Sequence, residues 1–385
     1  MFISDSVKYI GVNDKKIDLF EGQYNVPLGM AYNSYLIIDE KCAVMDSVGA
    51  GFGEEWLASL KSHLGTRSPD YLIVQHMEPD HSSEICRFMS EFPDAKIVAS
   101  QKAFAMISGF FGEDFAERRI IVAEGSSLSL GEHTLKFFTA PMVHWPEVIV
   151  TYEESEKILF SADAFGKFGA LDTEDEWACE ARRYYFGIVG KYGAQVQSLL
   201  KKLSPLEIKK ICPLHGPVLS EKLDYYIGLY NTWSSYEAEE RGVLIAYSSI
   251  YGNTKSAAEL LYKALSARGV TAAICDLARC DMHEAVEDAF RYSHLVLASP
   301  TYNGDIFPPV KVFIDALVER NYRKRTVGFI ENGTWAPLAA KVMRGLLEGA
   351  KDLSYLSSGV KILSGIKESN ISEIEALAEE ITKTI

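Results

Sequence analysis

Up to about residue 160, short runs of apolar and β-branched positions alternate with polar, helix-like stretches. The runs SYLIID (34–39), CAVMDSV (42–48), YLIVQ (71–75), KIVAS (96–100), RIIVA (119–123), HTLKFFTA (133–140), EVIVTYE (147–153) and KILFSA (157–162) have the length and composition of strands. Several are joined by short turns such as Gly131-Glu132, which predicts antiparallel sheets covered by helices, a two-sheet α/β sandwich. A helix is predicted over 221–240, and Arg241-Gly242 then punctuates the chain. Beyond it the pattern alternates strictly: strands at 243–248, 270–276, 294–299, 326–331 and 359–363, helices at 254–267, 282–290, 309–319, 337–348 and 370–383. Strand and helix in turn with short loops imply right-handed crossovers and a doubly wound parallel sheet. The expected domains are therefore 1–240 and 241–385, with no repeat between them.

Composition narrows the function. With 39 Lys+Arg against 53 Asp+Glu and a net charge of −14, the chain lacks the basic face that nucleic-acid binding needs. Residues 1–240 hold 22 basic and 36 acidic residues and residues 241–385 hold 17 of each, so the acidic excess lies wholly in the first part. No apolar run is long enough to span a bilayer, and no basic, apolar leader opens the chain, so a cytoplasmic location is expected. The six cysteines form no CxxC pair, which argues against a rubredoxin-type iron centre, a zinc ribbon or a dithiol motif and for reduced structural thiols.

The chemistry concentrates after the run at 71–75, in His76-Met77-Glu78-Pro79-Asp80-His81-Ser82. Two imidazoles and two carboxylates on a proline-broken loop can converge on one point, although Asp80 or Ser82 alone would read equally well as a helix N-cap. His144, Asp163 and His215 each follow an apolar run, where a strand end gives a ligand a rigid base. Singly, His144 and His215 read as well as hydrogen-bonded core residues. Together the seven residues offer four imidazoles and three carboxylates, an inventory for two metal ions with one carboxylate shared. His63, His133, His283 and His294 read as structural residues in helices or turns.

In the second half, Ser249-Ile250-Tyr251-Gly252-Asn253-Thr254 lies between a strand and a helix, a turn that aims backbone N–H groups at a phosphate without a cation. Two further segments follow later strands of the same sheet: Pro300-Thr301-Tyr302-Asn303-Gly304 and Asn332-Gly333-Thr334-Trp335. In a doubly wound sheet all three meet at the carboxyl ends of the strands. Gly49-Ala50-Gly51-Phe52-Gly53 does not match a dinucleotide fingerprint and reads as a turn.

The pattern HxExDH followed by His, Asp and His resembles the metallo-β-lactamase-type αβ/βα fold, with Glu78 where its zinc hydrolases carry a second histidine. A harder anionic ligand there leans the site toward iron or manganese. Glu at that position, with a flavodoxin-like second half, resembles the flavodiiron proteins over nearly the whole chain. The resemblance implies His76, Glu78, His144 and Asp163 on one iron, and Asp80, His81, Asp163 and His215 on the other, with Asp163 bridging. It also implies FMN, its phosphate on the first loop and its ring beside Tyr251, Tyr302 and Trp335. The implied activity is reduction of O2 to water, of NO to N2O, or both. The chain ends within its last helix, so electrons are expected from a separate donor, rubredoxin or a reduced deazaflavin coenzyme. The expected assembly is a head-to-tail homodimer or a dimer of such dimers. Two other classes stay open from the residues alone: a zinc hydrolase with an appended flavodoxin domain, and a flavin electron carrier with a structural metal. The basic cluster Arg320, Arg323, Lys324 and Arg325 reads as a solvated helix end before it reads as a docking patch.

Overall fold

The computed structural model describes residues 2–174 and 176–385. The chain divides into two compact units, Met1–Asn231 and Thr232–Ile385.

The first unit is built on two sheets. One orders the strands Val7–Tyr9, Tyr35–Ile37, Ala43–Met45, Tyr71–Val74, Lys96–Ser100 and Arg119–Val122; the other orders Ser127–Ser129, Thr134–Thr139, Ile149–Glu153, Ile158–Phe160 and Lys210–Cys212. Alternation along each strand sorts the side chains onto two faces. Tyr35, Ile37, Met45, Ile73 and Val98 pack in one core with Phe137, Ile149, Ile158 and Phe160 of the second sheet. Leu36, Val44, Leu72 and Ile97 point the other way and share a core with Trp56, Leu60, Phe88 and Phe104, so helices cover that face. The expectation of antiparallel sheets holds only in part. Ala43–Met45, Tyr71–Val74, Lys96–Ser100 and Arg119–Val122 run parallel, as do Ile158–Phe160 and Lys210–Cys212. Helices Gly53–Leu64 and Gln101–Phe111 supply crossovers long enough to return the chain in the same direction.

In the second unit the parallel strands are ordered Ala272–Asp276, Glu240–Tyr247, Tyr292–Tyr302 and Thr326–Gly333, with Ser354–Tyr355 and Val360–Leu363 both beside the last. The order reverses beside the first strand in sequence, which opens a crevice at the carboxyl ends of the strands. Several local expectations change. The helix predicted over 221–240 is Leu223–Ser234, and Glu240 already belongs to a strand. The segment at Pro300–Tyr302 extends a strand that hairpins onto Asp305–Ile306. His294 sits in that strand, not in a helix or turn. Arg325 is buried rather than solvated. Its guanidinium donates to carbonyls of Tyr236, Glu237, Phe290, Arg323 and Lys324, and Lys324 pairs with Glu237. Cys275 and Cys280 are paired as a disulfide, with Cα atoms 6.5 Å apart, where reduced thiols were expected. The turn after the strand returns on itself through Arg279 and Cys280 N–H bonds to the Asp276 carbonyl and so brings the two together. Among the described residues no helix is long and apolar enough to cross a membrane.

Candidate functional site

The strand Tyr71–Val74 ends at Gln75, where a buried carboxylate takes control of the backbone. Asp46 Oδ1 accepts from the N–H of Gln75 at 2.7 Å and of His76 at 3.3 Å, and Oδ2 accepts from the Gln75 amide at 2.9 Å. Burial pushes the Asp46 carboxyl up to about 6 against the pull of these donors. Pro79 then starts the single turn Pro79–Ser82, where its missing N–H costs nothing. The turn is fixed at both ends: Ser82 Oγ donates to the Met77 carbonyl at 2.9 Å and Ser47 Oγ to the His81 carbonyl at 2.7 Å. The other three residues do not follow their strands directly. His144 lies in the turn between Thr134–Thr139 and Ile149–Glu153, Asp163 after Ile158–Phe160, and His215 after Lys210–Cys212. Met142 and Ala162, just before His144 and Asp163, have φ of 65° and 50°, strain of the kind that collects at functional sites.

These loops gather all seven residues into two adjoining groups, His76, Glu78, His144 and Asp163, and Asp80, His81 and His215. In the first, His144 Nε2 stands 3.0 Å from Glu78 Oε2, 3.1 Å from Asp163 Oδ2 and 3.2 Å from His76 Nε2. In the second, His81 Nε2 stands 3.0 Å from His215 Nε2 and 3.3 Å from Asp80 Oδ2, and 3.4 Å from the other Asp163 oxygen, Oδ1. Asp163 thus presents one oxygen to each group.

The donor set fits metal ions better than it fits a protein interior. Neutral imidazoles meeting through Nε2 waste lone pairs, and both oxygens of Asp80 and of Asp163 are buried without a hydrogen-bond partner. Ligands about 2.0 to 2.2 Å from one ion stand about 3 to 3.5 Å from each other, which is the observed spacing. Without an ion the groups compensate one another by charge. Burial lowers the His144 imidazole, but Asp163 and Glu78 overcome it and hold the proton up to about 9. Burial acts against the charged forms of Asp163 and Glu78, yet the facing imidazoles hold both carboxyls well below the usual range. Three ligand imidazoles differ at the other ring nitrogen: His76 Nδ1 meets Glu147, His215 Nδ1 meets the Ala31 carbonyl at 2.7 Å, and His81 Nδ1 is buried without a partner.

Aromatic rings wall the groups. Phe20 and Tyr184 lie 5.4 Å from the His215 ring, Tyr32 lies 6.0 Å from it, and Trp145 meets His76 edge-on at 5.3 Å. The Tyr184 hydroxyl is buried without a partner, and burial followed by the charges of Asp163, Glu78 and Asp80 holds its proton on. Sequence reasoning missed Asp46, Glu147 and Tyr184. Each lies within an ordinary strand or helix pattern, and only the fold turns it toward the ligands.

The second unit carries a cavity of about 560 Å³ at the carboxyl ends of its strands, in the range of cofactor sites. All fifteen residues expected there line it except Gly252, and Ala336, Leu338 and Ser364 join them. Gly252 shapes the turn instead: with φ of 90° it precedes helix Asn253–Ala267 and donates its N–H to Ser249 Oγ at 3.1 Å. No acidic residue occupies the first turn of that helix, and its first two residues, Asn253 and Thr254, line the cavity, an arrangement suited to an anion. Tyr251 and Trp335 stand at the rim, 92% and 91% exposed, unburied aromatic faces that a planar ring could cover.

Comparison with known proteins finds a family profile for each half of the chain. The ODP family beta lactamase profile matches residues 30–216 and a flavodoxin domain profile matches 244–353. The chain is 32% identical over 361 residues to a nitric oxide reductase of Moorella thermoacetica, covering 91% of this chain and 90% of that protein. The rubredoxin oxygen:oxidoreductase of Desulfovibrio gigas superposes with a TM-score of 0.91 at 25% identity, over 100% of this chain and 98% of that one. The flavodiiron protein of Giardia intestinalis gives the same score and identity over 100% and 97%.

Proposed function

We propose that this chain, which belongs to the flavodiiron protein family, reduces O2 to water, NO to N2O, or both, at an iron pair that its FMN replenishes. The observation that carries the reading is the convergence of His76, Glu78, His144 and Asp163 with Asp80, His81 and His215, Asp163 offering one oxygen to each group. His76, Glu78, His144 and Asp163 would hold one iron, and Asp80, His81, Asp163 and His215 the other. When bound, the iron pair would supply electrons and open positions to a diatomic substrate, and FMN would resupply those electrons.

The remaining roles belong to the chain's own groups. Glu78 adds a hard anionic donor that favours iron over zinc. Phe20, Tyr32, Tyr184 and Trp145 narrow access of water to the ligands. Tyr184 keeps a hydroxyl proton, unshared with any protein acceptor, beside three carboxylates. In the second unit the turn from Ser249 to Thr254 binds the FMN phosphate through N–H groups, while Tyr251, Tyr302 and Trp335 border the ring. The donor is a separate cytoplasmic carrier, rubredoxin or a reduced deazaflavin coenzyme; the name of the Desulfovibrio relative favours rubredoxin. Two chains pair head to tail, so that the FMN of one protomer faces the metal site of its partner.

The test is anaerobic reduction of the purified protein followed by a measured addition of O2 or NO. The reading expects flavin reoxidation, with water formed without peroxide from O2 or N2O appearing from NO. Stoichiometric peroxide, or a reduced flavin that neither gas reoxidises, overturns it.

A further inference from the structure

We propose that Glu147 is the positioning residue of His76, and that through this imidazole it sets the metal affinity and reduction potential of the site. The proposal rests on the metal-binding reading above.

Glu147 is buried, and its Oε1 lies 2.8 Å from His76 Nδ1 and 2.9 Å from the N–H of Met77. The first bond fixes the tautomer: with the Nδ1 proton donated to a carboxylate, the Nε2 lone pair is left to face Glu78, His144 and Asp163. The second fixes the backbone between His76 and Glu78, so one carboxylate positions two ligand residues. Glu147 is itself anchored. Its carbonyl accepts from Ser100 Oγ at 2.8 Å, and the same Oγ caps helix Gln101–Phe111 by accepting the Ala103 N–H at 3.2 Å. The Ile149 N–H donates to the Gln75 carbonyl at 3.1 Å, which ties the strand after Glu147 to the residue before His76.

Two observations separate this role from mere packing. The second oxygen, Oε2, is buried without a partner, a costly arrangement that an apolar side chain of similar size would avoid. The anion is also selective: His215 Nδ1 donates to a neutral carbonyl and His81 Nδ1 to nothing. A carboxylate on Nδ1 makes His76 a stronger electron donor than either, which favours metal binding and the higher oxidation state.

The experiment uses the full chain with bound FMN, stripped of metal by a chelator and reloaded with Zn(II) or Fe(II). In the Zn(II) form of the wild type, labelled-histidine NMR should show a protected, downfield Nδ1 proton on His76. Glu147→Gln should shift that resonance, weaken Zn(II) about 10–100-fold in chelator competition and move the iron potential to more positive values, with FMN content and melting temperature held as folding controls. Glu147→Ala should do at least as much. If the wild type binds a metal pair but His76 shows no such proton, the proposal fails, whatever the variants do. It fails equally if Glu147→Gln holds Zn(II) within about twofold of the wild type at an unchanged iron potential. If the wild type takes up no metal pair, the metal-binding reading itself is wrong and the proposal falls with it.

Discussion

Replacing Thr254 by Glu tests the phosphate site with a magnitude that can be worked out in advance. Thr254 is buried, the second residue of helix Asn253–Ala267, and lines the cavity. A carboxylate about 4 Å from one phosphate charge repels it by about 4 kcal/mol at an effective dielectric near 20. The phosphate of FMN carries between one and two charges near neutral pH, so the repulsion alone could be larger. Protonation sets a ceiling: forcing a Glu of ordinary pKa near 4.3 to stay neutral at pH 7 costs about 3.7 kcal/mol. The lower of the two, the protonation ceiling, weakens FMN by about 400- to 500-fold, since each 1.4 kcal/mol is about tenfold in Kd. Thr254→Gln has the same bulk without the charge and isolates the electrostatic part. Fluorescence quenching of FMN titrated into flavin-free protein gives both constants. Glu should bind hundreds of times more weakly than Gln, and the gap should close as pH falls toward 5. Equal affinities for the two variants would refute placement of the phosphate at this helix end.

Three other outcomes are expected. Glu78→His should shift metal content from iron toward zinc and abolish O2 reduction with FMN retained, as elemental analysis and oxygen uptake would report; unchanged iron and activity would remove Glu78 from the ligands. His133 donates through Nδ1 to Asp39 at 2.8 Å and faces Glu156 at 3.3 Å, and these carboxylates raise its imidazole against burial while Asp39 falls to about 2. The raised histidine stabilises fully below its unfolded value near 6.5 and loses that effect as pH rises through its folded value. The lowered Asp39 stabilises above its unfolded value near 3.9 and loses that effect as pH falls toward 2, so His133→Gln should cost most stability between about pH 4 and 6.5 in urea melts. A uniform loss across pH would count against the pair. Mixing a metal-less variant (His76→Ala with Asp163→Ala) with the flavin-less Thr254→Glu should partly restore activity, because a mixed dimer places one intact FMN against one intact metal site; silent mixed dimers with both surviving cofactors bound would contradict head-to-tail pairing.

How much of this was legible depended on whether a residue's role is local. The segment from His76 to His81 declares itself because four candidate ligands crowd one loop, and the helix turn after Ser249 because N–H groups aimed at a phosphate are a property of adjacent backbone. Glu147 and Asp46 were invisible: each sits in a run read as strand, and nothing local says that Glu147 reaches the His76 ring from the other sheet or that Asp46 reaches its N–H from the neighbouring strand. Arg325 looked like one of several surface cations, because burial against five carbonyls arises only when the turn around Tyr236 and the helix end at Phe290 meet it. The sheet directions in the first half were misread for a related reason. Short apolar runs fix that strands exist, whereas parallel or antiparallel pairing depends on where the intervening helix returns the chain.

Metal analysis of protein purified anaerobically from iron-supplied cells decides whether the seven ligands hold two irons. Two irons and one FMN per chain are predicted, with a spin-coupled signal when the pair is reduced by one electron. Stoichiometric zinc, or a single metal per chain under those conditions, would contradict that prediction.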